Sequence, residues 1–191
     1  MAREEKKTVI LQAASRIFYM KGFEGTKMED VAKEAGIGKG TIYEYFDSKQ
    51  QLFEEMVAFN RNLHLNNIRE TLQKGNTFRE KFLALAKYQT ETVKKHIHVF
   101  NSMACSRIMA RELGAVFLEQ NIRIGQILKE LVVEAIQNKE LRPDIDPEIV
   151  SAVMFGTINQ YCGKKVIFYN MEPEEIDFEQ IVDTVMKGIE S

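Results

Sequence analysis

Three groups of side chains in this 191-residue chain have types and spacings that invite a chemical reading. His96, His98 and Cys105 lie close together. His96 and His98 are two apart, on opposite sides of a helix, and cannot chelate one metal. His98 and Cys105 share a face but stand two turns apart, about 10 Å by helical rise, too far for a thiolate pair. No phosphate-binding loop or dinucleotide fingerprint is present, so catalysis, a metal and a cofactor are not expected. The second group is Gly38, Lys39, Gly40 and Thr41 with Tyr43, Glu44 and Tyr45. An ammonium, hydroxyls, ring faces and one carboxylate hydrogen-bond to flat polar edges and anionic chains; they break no bonds. The third is the soft, bulky set Phe100, Met103, Cys105, Met109 and Phe117, suited to an apolar ligand and equally to ordinary core.

The second group sits where three helix starts follow closely. Thr26 with Glu29 reads as a capping box, Ala35-Gly36-Ile37-Gly38 as the turn, and a helix from about Lys39 to Phe46 buries Ile42 and Phe46, four apart. Ser48 with Gln51 opens a longer helix. Two short helices around a Gly-containing turn form the layout of a helix-turn-helix, and a plain helical hairpin fits the pattern alone about as well. The run AGIGKGTIYEYFDSKQQLF, however, closely resembles the signature of the TetR family of bacterial transcriptional regulators: Ala-Gly-apolar-small-Lys-Gly-Thr-apolar-Tyr-x-Tyr-Phe-x-x-Lys-x-x-Leu-Phe.

That resemblance implies an all-α fold of about nine helices. A three-helix helix-turn-helix DNA-binding domain in residues 1–47 would be followed by a ligand-binding and dimerisation domain in 48–191. The first helix, about Lys7 to Met20, carries core stripes (Val9, Ala13, Ile17; Ile10, Ala14, Phe18) and ends at Gly22. DNA contacts are then expected from Thr26, Lys27, Gly38, Lys39, Gly40, Thr41, Tyr43, Glu44, Tyr45 and Lys49. Lys39 can donate to guanine O6 and N7, Thr41 can meet phosphate or a thymine methyl, Gly40 lets backbones approach, and the tyrosines suit sugar and phosphate. Thr26 and Lys49, at helix starts, are expected phosphate anchors. Gly38 departs from the usual Ser, Ala or Thr. Glu44 departs from the usual polar residue, and either accepts from cytosine N4 or excludes other bases.

Charge tempers this reading. Net charge is −2 overall, and residues 1–56 hold nine Lys or Arg against ten Asp or Glu, so no bulk basic field attracts DNA. One copy should bind poorly. No apolar run is long enough for a membrane span, and MAREEKK lacks a signal peptide's apolar middle; a soluble, unexported, cytoplasmic chain is expected. Cys105 and Cys162, far apart, read as buried thiols in a reducing compartment.

In the body, helices are expected over Ser48 to Gln73, from Thr77 with Glu80 to about Lys94, over 97–110, 112–138, Pro147 to about Phe168, and after Asp177 with Gln180. Asn60, His64 and Asn67 form a polar line, more often solvated than functional. The expected pocket residues are Phe59, Leu63, His64, Tyr88, Phe100, Met103, Phe117, Asn121, Phe155 and Asn159, around a small, largely apolar effector. Lys139 stands where the family usually has Gly. The last two helices are read as a symmetric four-helix dimer interface, through Ala152, Gly156, Gly163, Phe178, Ile181, Val182, Val185 and Met186. The whole resembles a homodimeric repressor released by ligand from a palindromic operator in double-stranded DNA. The alternative is a non-DNA-binding helical dimeric interaction module.

Overall fold

The computed structural model describes residues 3–103 and 107–190, with side chains described outside 96–117. Among the described residues there are nine α-helical segments and no strand. They are α1 (Arg3–Gly25), α2 (Met28–Glu34), α3 (Lys39–Tyr43), α4 (Lys49–Gln73), α5 (Phe78–Met103), α6 (Arg107–Gln137), α7 (Pro147–Gly156), α8 (Gly163–Phe168) and α9 (Phe178–Met186). A π-helical turn, Thr157–Cys162, joins α7 to α8. The chain packs as two units, residues 1–64 with 98–106 and residues 65–97 with 107–191, so that the division falls inside α4 and again inside α5.

The first unit has the expected core. Ile10, Ala13, Ala14, Ile17 and Phe18 of α1 are buried, as are Val31 of α2, Ile42 and Phe46 around α3, and Leu52, Phe53 and Met56 of α4. Gly22 takes φ 68° and ψ 176°, which ends the regular part of α1 as the sequence predicts. Phe18 and Phe23 stack at 5.9 Å between ring centroids, and Phe53 meets both edge-on at 5.1 and 5.3 Å. Asn60 joins α4 to α1 by donating to Ser15 Oγ at 2.8 Å. Ser48 caps α4 by accepting from the Gln51 amide at 3.1 Å; the Gln51 side chain returns to Asp47 N at 2.6 Å.

Two expectations fail here. The Thr26–Glu29 capping box does not form. Thr26 is buried and its hydroxyl donates to Gly22 O at 2.6 Å, so the N-cap of α2 falls one residue later, at Lys27, with the Asp30 carboxylate accepting from Lys27 N at 3.4 Å. The second short helix closes at Tyr43 and not at Phe46: Glu44 N bonds to Thr41 O and Tyr45 N to Ile42 O at the tighter three-residue spacing, and a single four-residue bond, Phe46 N to Ile42 O at 3.0 Å, follows.

The second unit is a helical core in which Phe78, Phe82 and Leu85 of α5, Leu128 and Val132 of α6, Met154 of α7 and Val166 of α8 are buried. Thr77 and Glu80 cap α5 as expected, Oγ1 accepting from Glu80 N at 3.2 Å and the Glu80 carboxylate from Asn76 N at 2.7 Å. Glu140, far along the chain, adds a third cap by accepting from Phe78 N at 2.6 Å. The separate helix expected over 97–110 is absent as such: α5 runs unbroken to Met103 and α6 begins at Arg107. No Gly or Pro interrupts residues 78–103, so nothing local stops the helix. Asp146 caps α7 over Pro147, accepting from Glu148 N at 2.8 Å, and Asp177 caps α9, accepting from Gln180 N at 2.9 Å; both match expectation. Cys162 is buried, its thiol hydrogen-bonded to Thr90, and burial pushes its pKa up. Cys105 lies outside the described residues.

Part of the apolar stripe of α9, expected at a dimer interface, faces the protomer's own core. Phe178, Val182 and Met186, four apart, are buried in the protomer's own core, and Ile181 and Val185 are half-buried against it. Gly163 is buried too. Phe178, Val182, Met186 and Gly163 are taken up by internal packing, whereas Ile181 and Val185 remain partly open. Of the expected interface set, Ala152 is exposed and Gly156 half-buried.

After α6 the chain turns at Lys139, which holds φ 62°, the left-handed region. There the Cβ meets the carbonyl oxygen, which costs a non-glycine residue about 1–2 kcal/mol. Lys139→Gly is therefore expected to stabilise the fold by about 1 kcal/mol after the entropy of a freer unfolded chain is deducted. Chemical denaturation checks this; a loss of stability would contradict it.

Candidate nucleic-acid interface

The site is built on a turn that glycine makes possible. α2 closes at Ala35, whose amide bonds to Val31 O at 2.9 Å. Gly36 then takes φ 67°, and Ile37 N returns to Ala32 O at 2.9 Å. Gly38 follows in extended conformation as the N-cap of α3, with no side-chain cap. The chain thus enters α3 at an exposed start where Thr41 N bonds back to Gly38 O at 3.0 Å and the amides of Lys39 and Gly40 receive no side-chain cap.

Ile42, fully buried, anchors α3, and Phe46 seats the chain after it. Around that anchor, Gly38, Lys39, Gly40, Tyr43 and Glu44 are exposed, and Thr41 and Tyr45 are half-buried. A Cβ placed on Gly40 would meet nothing within 4 Å, so the protein's own packing does not require glycine there. Arg3 lies over the Tyr45 ring at 5.7 Å. Lys27 is exposed beside the start of α2.

Two expected phosphate anchors are otherwise engaged. Thr26 is buried, with its hydroxyl spent on Gly22 O. Lys49 Nζ donates to Phe23 O at 2.8 Å and sits 4.5 Å over the Phe23 ring, closing the carboxyl end of α1. In both cases a helix terminus inside the protein takes the polar atom first.

Glu29, read from sequence as a cap, instead holds Lys39: Nζ to Oε1 is 2.5 Å. The ammonium lowers the carboxyl pKa of Glu29, and the carboxylate raises that of Lys39. Sequence reasoning missed this pair because its members lie ten positions apart across a turn, where no helical period relates them. Further pairs explain the muted charge of the head: Arg16 with Glu34 at 2.6 Å, Lys21 with Asp30 at 2.9 Å and Lys7 with Glu55 at 2.6 Å.

The residues expected to line a ligand pocket divide between the units. In the first, Phe59 and His64 are half-buried and Leu63 is exposed. In the second, Tyr88 and Phe155 pack half-buried against the core. Asn121 and Asn159 are exposed in the single chain, Asn159 donating to Phe155 O at 2.9 Å. The side chains of Phe100, Met103 and Phe117 lie outside those described. An open groove of about 600 Å³ runs along Gln126, Lys129, Glu130 and Val133 of α6; lined by one helix and open to solvent, it encloses no ligand.

A helix pair turned at a left-handed glycine, offering bare amides, a lysine, a hydroxyl and tyrosines from one end of the second helix, defines a helix-turn-helix DNA-binding protein. Residues 10–56 match the family described as bacterial regulatory proteins, tetR family. Over those residues the chain carries the DNA-binding domain of the TetR family of transcriptional regulators. It is 25% identical over 186 residues, 93% of this chain and 90% of the relative, to the fatty acid metabolism regulator protein of Bacillus subtilis (strain 168). Its fold is that of a TetR-family regulator from Mesorhizobium loti MAFF303099, with TM-score 0.80, 20% identity and full coverage of both chains. It is also similar to the regulator FadR of Bacillus subtilis in complex with stearoyl-CoA, with TM-score 0.61, 19% identity and coverage of 94% and 95%.

The two turn glycines should separate cleanly by their roles in folding. Gly36→Ala forces a Cβ into the left-handed region and is expected to cost about 1–2 kcal/mol. Gly40→Ala is expected to be neutral or to add up to about 1 kcal/mol, since alanine favours helix and has open space. Thermal melting of both variants checks the pair, and a destabilised Gly40→Ala would contradict it.

Proposed function

We propose that this regulator is a homodimeric repressor that leaves its operator when its body binds a largely apolar, acyl-bearing effector. The observation that carries the DNA reading is the exposed start of α3, Gly38 to Thr41, where open space around Gly40 leaves room for a duplex backbone. Lys39, Thr41 and Glu44 are the base-edge candidates; Tyr43, Tyr45 and Lys27 face the sugar-phosphate chain. Lys49 and Thr26 serve the head's own architecture.

Pairing is assigned to α7 and not to α9. Ile149, Ala152, Val153 and Gly156 recur at three- and four-residue spacing, and Ile149 and Val153 are 63% and 45% exposed in the single chain. An apolar stripe with small residues in its midst suits close helix packing about a two-fold axis. Two heads then read two half-sites roughly 34–36 Å apart. The effector reading rests on the name of the Bacillus subtilis relative, on the stearoyl-CoA held by a protein of this fold, and on the apolar side chains of the body. No described helix is long and apolar enough to cross a membrane, in keeping with a cytoplasmic regulator.

The direct test selects duplexes from a randomised pool with the full-length protein and asks for an inverted repeat. Gly40→Ala, folded as above, should bind the recovered duplex at least about tenfold more weakly. Stearoyl-CoA should release the wild type from it, where coenzyme A alone does not. A pool without enrichment would overturn the DNA reading, and indifference to acyl-CoA the effector reading. Ile149→Glu with Val153→Glu should give a folded monomer by sedimentation and lose tight binding; a persistent dimer would move the interface elsewhere.

A further inference from the structure

The carboxylates that mute the head are arranged unevenly. Three ion pairs end on α2, at Glu29, Asp30 and Glu34, and of these the Glu29 pair reaches α3, at the very lysine offered to the groove. Both partners stay open to solvent, Lys39 at 65% and Glu29 at 49% of their side chains, so the pair does not serve the core.

A free lysine at the start of α3 would gain from any phosphate, whatever the sequence, because each neutralised phosphate releases counterions. Held on a carboxylate, Lys39 has its charge cancelled and loses that indiscriminate gain. Its hydrogen-bonding capacity is only partly used. An ammonium carries three donors, and Glu29 takes one. The remaining two match the two acceptors, O6 and N7, that guanine presents in the major groove. Resting on the DNA-binding reading above, we propose that Glu29 is a positioning residue for sequence discrimination, aiming the Lys39 ammonium at a base edge and withholding it from phosphates.

The test uses the full-length protein and two probes of equal length, the inverted-repeat duplex recovered by the wild type and a scrambled duplex, over a range of KCl concentrations. Glu29→Gln keeps a hydrogen-bond acceptor but removes the charge. It should tighten binding to the scrambled duplex by about five- to tenfold near 0.1 M salt, with a salt slope steeper by roughly 0.9 per head, the signature of one added phosphate contact. Binding to the recovered duplex should change by less than about threefold, so discrimination falls. In a Lys39→Ala background the same substitution should do nothing further, because Glu29 acts through Lys39. Asp30→Asn, which removes a neighbouring carboxylate paired with Lys21, should leave discrimination intact; melting curves confirm that each variant is folded. An equal gain on both duplexes, or a gain that survives in Lys39→Ala, would show bulk charge at work and overturn the assignment. A wild type that discriminates while Glu29→Gln discriminates equally well overturns the role of Glu29 alone, whereas a wild type that prefers no duplex overturns the DNA reading with it.

Discussion

A helix of five residues has no stability of its own; nucleation alone costs more than one turn of hydrogen bonds returns. α3 exists because Ile42 and Phe46 are driven out of water into the space between α1, α2 and the start of α4. Burying two large side chains recovers roughly 2–3 kcal/mol each, enough to fix a segment whose other residues face outward. Everything functional in the head follows from that anchor. With the two residues inside, geometry leaves Lys39, Gly40, Tyr43 and Glu44 outside, and the left-handed Gly36 sets the angle at which they emerge.

The same logic explains which polar groups are available to a partner. Inside the protein, orphan carbonyls at helix ends compete for cations and hydroxyls with anything outside. At the end of α1 the protein wins: Gly22 O holds Thr26, and Phe23 O holds Lys49. At the start of α3 it does not, because Gly38 brings no side chain to cap the first amides. A helix start without a side-chain cap, next to an exposed lysine held by Glu29, is what remains for a base edge.

Much of this was legible in the sequence, for identifiable reasons. The caps at Ser48, Thr77, Asp146 and Asp177 act over two to four residues, so local reading finds them. The core faces of α1 and the turn at Gly36 are equally local. Reading failed where two local solutions compete or where distant chain decides. Thr26 could cap α2 or tie back to Gly22, and the second won. The α9 stripe could cover the protomer or a partner; periodicity marks an apolar face without saying what covers it, and Phe178, Val182 and Met186 turn inward. The Glu29–Lys39 pair and the Glu140 cap on Phe78 are tertiary, and no period in the sequence encodes them. Lys139 is the opposite case, a departure from glycine seen in the sequence that the structure meets as a left-handed backbone.

The central claim is that the start of α3 lies in a DNA groove. Titrating isotope-labelled protein with its selected duplex while following backbone amide resonances tests it most directly. The account predicts that the largest shifts fall on Gly38, Lys39, Gly40 and Thr41, at the exposed start of α3, which no side chain caps. If those four stay still while other surfaces of the head respond, α3 is not the reading element and the account is wrong.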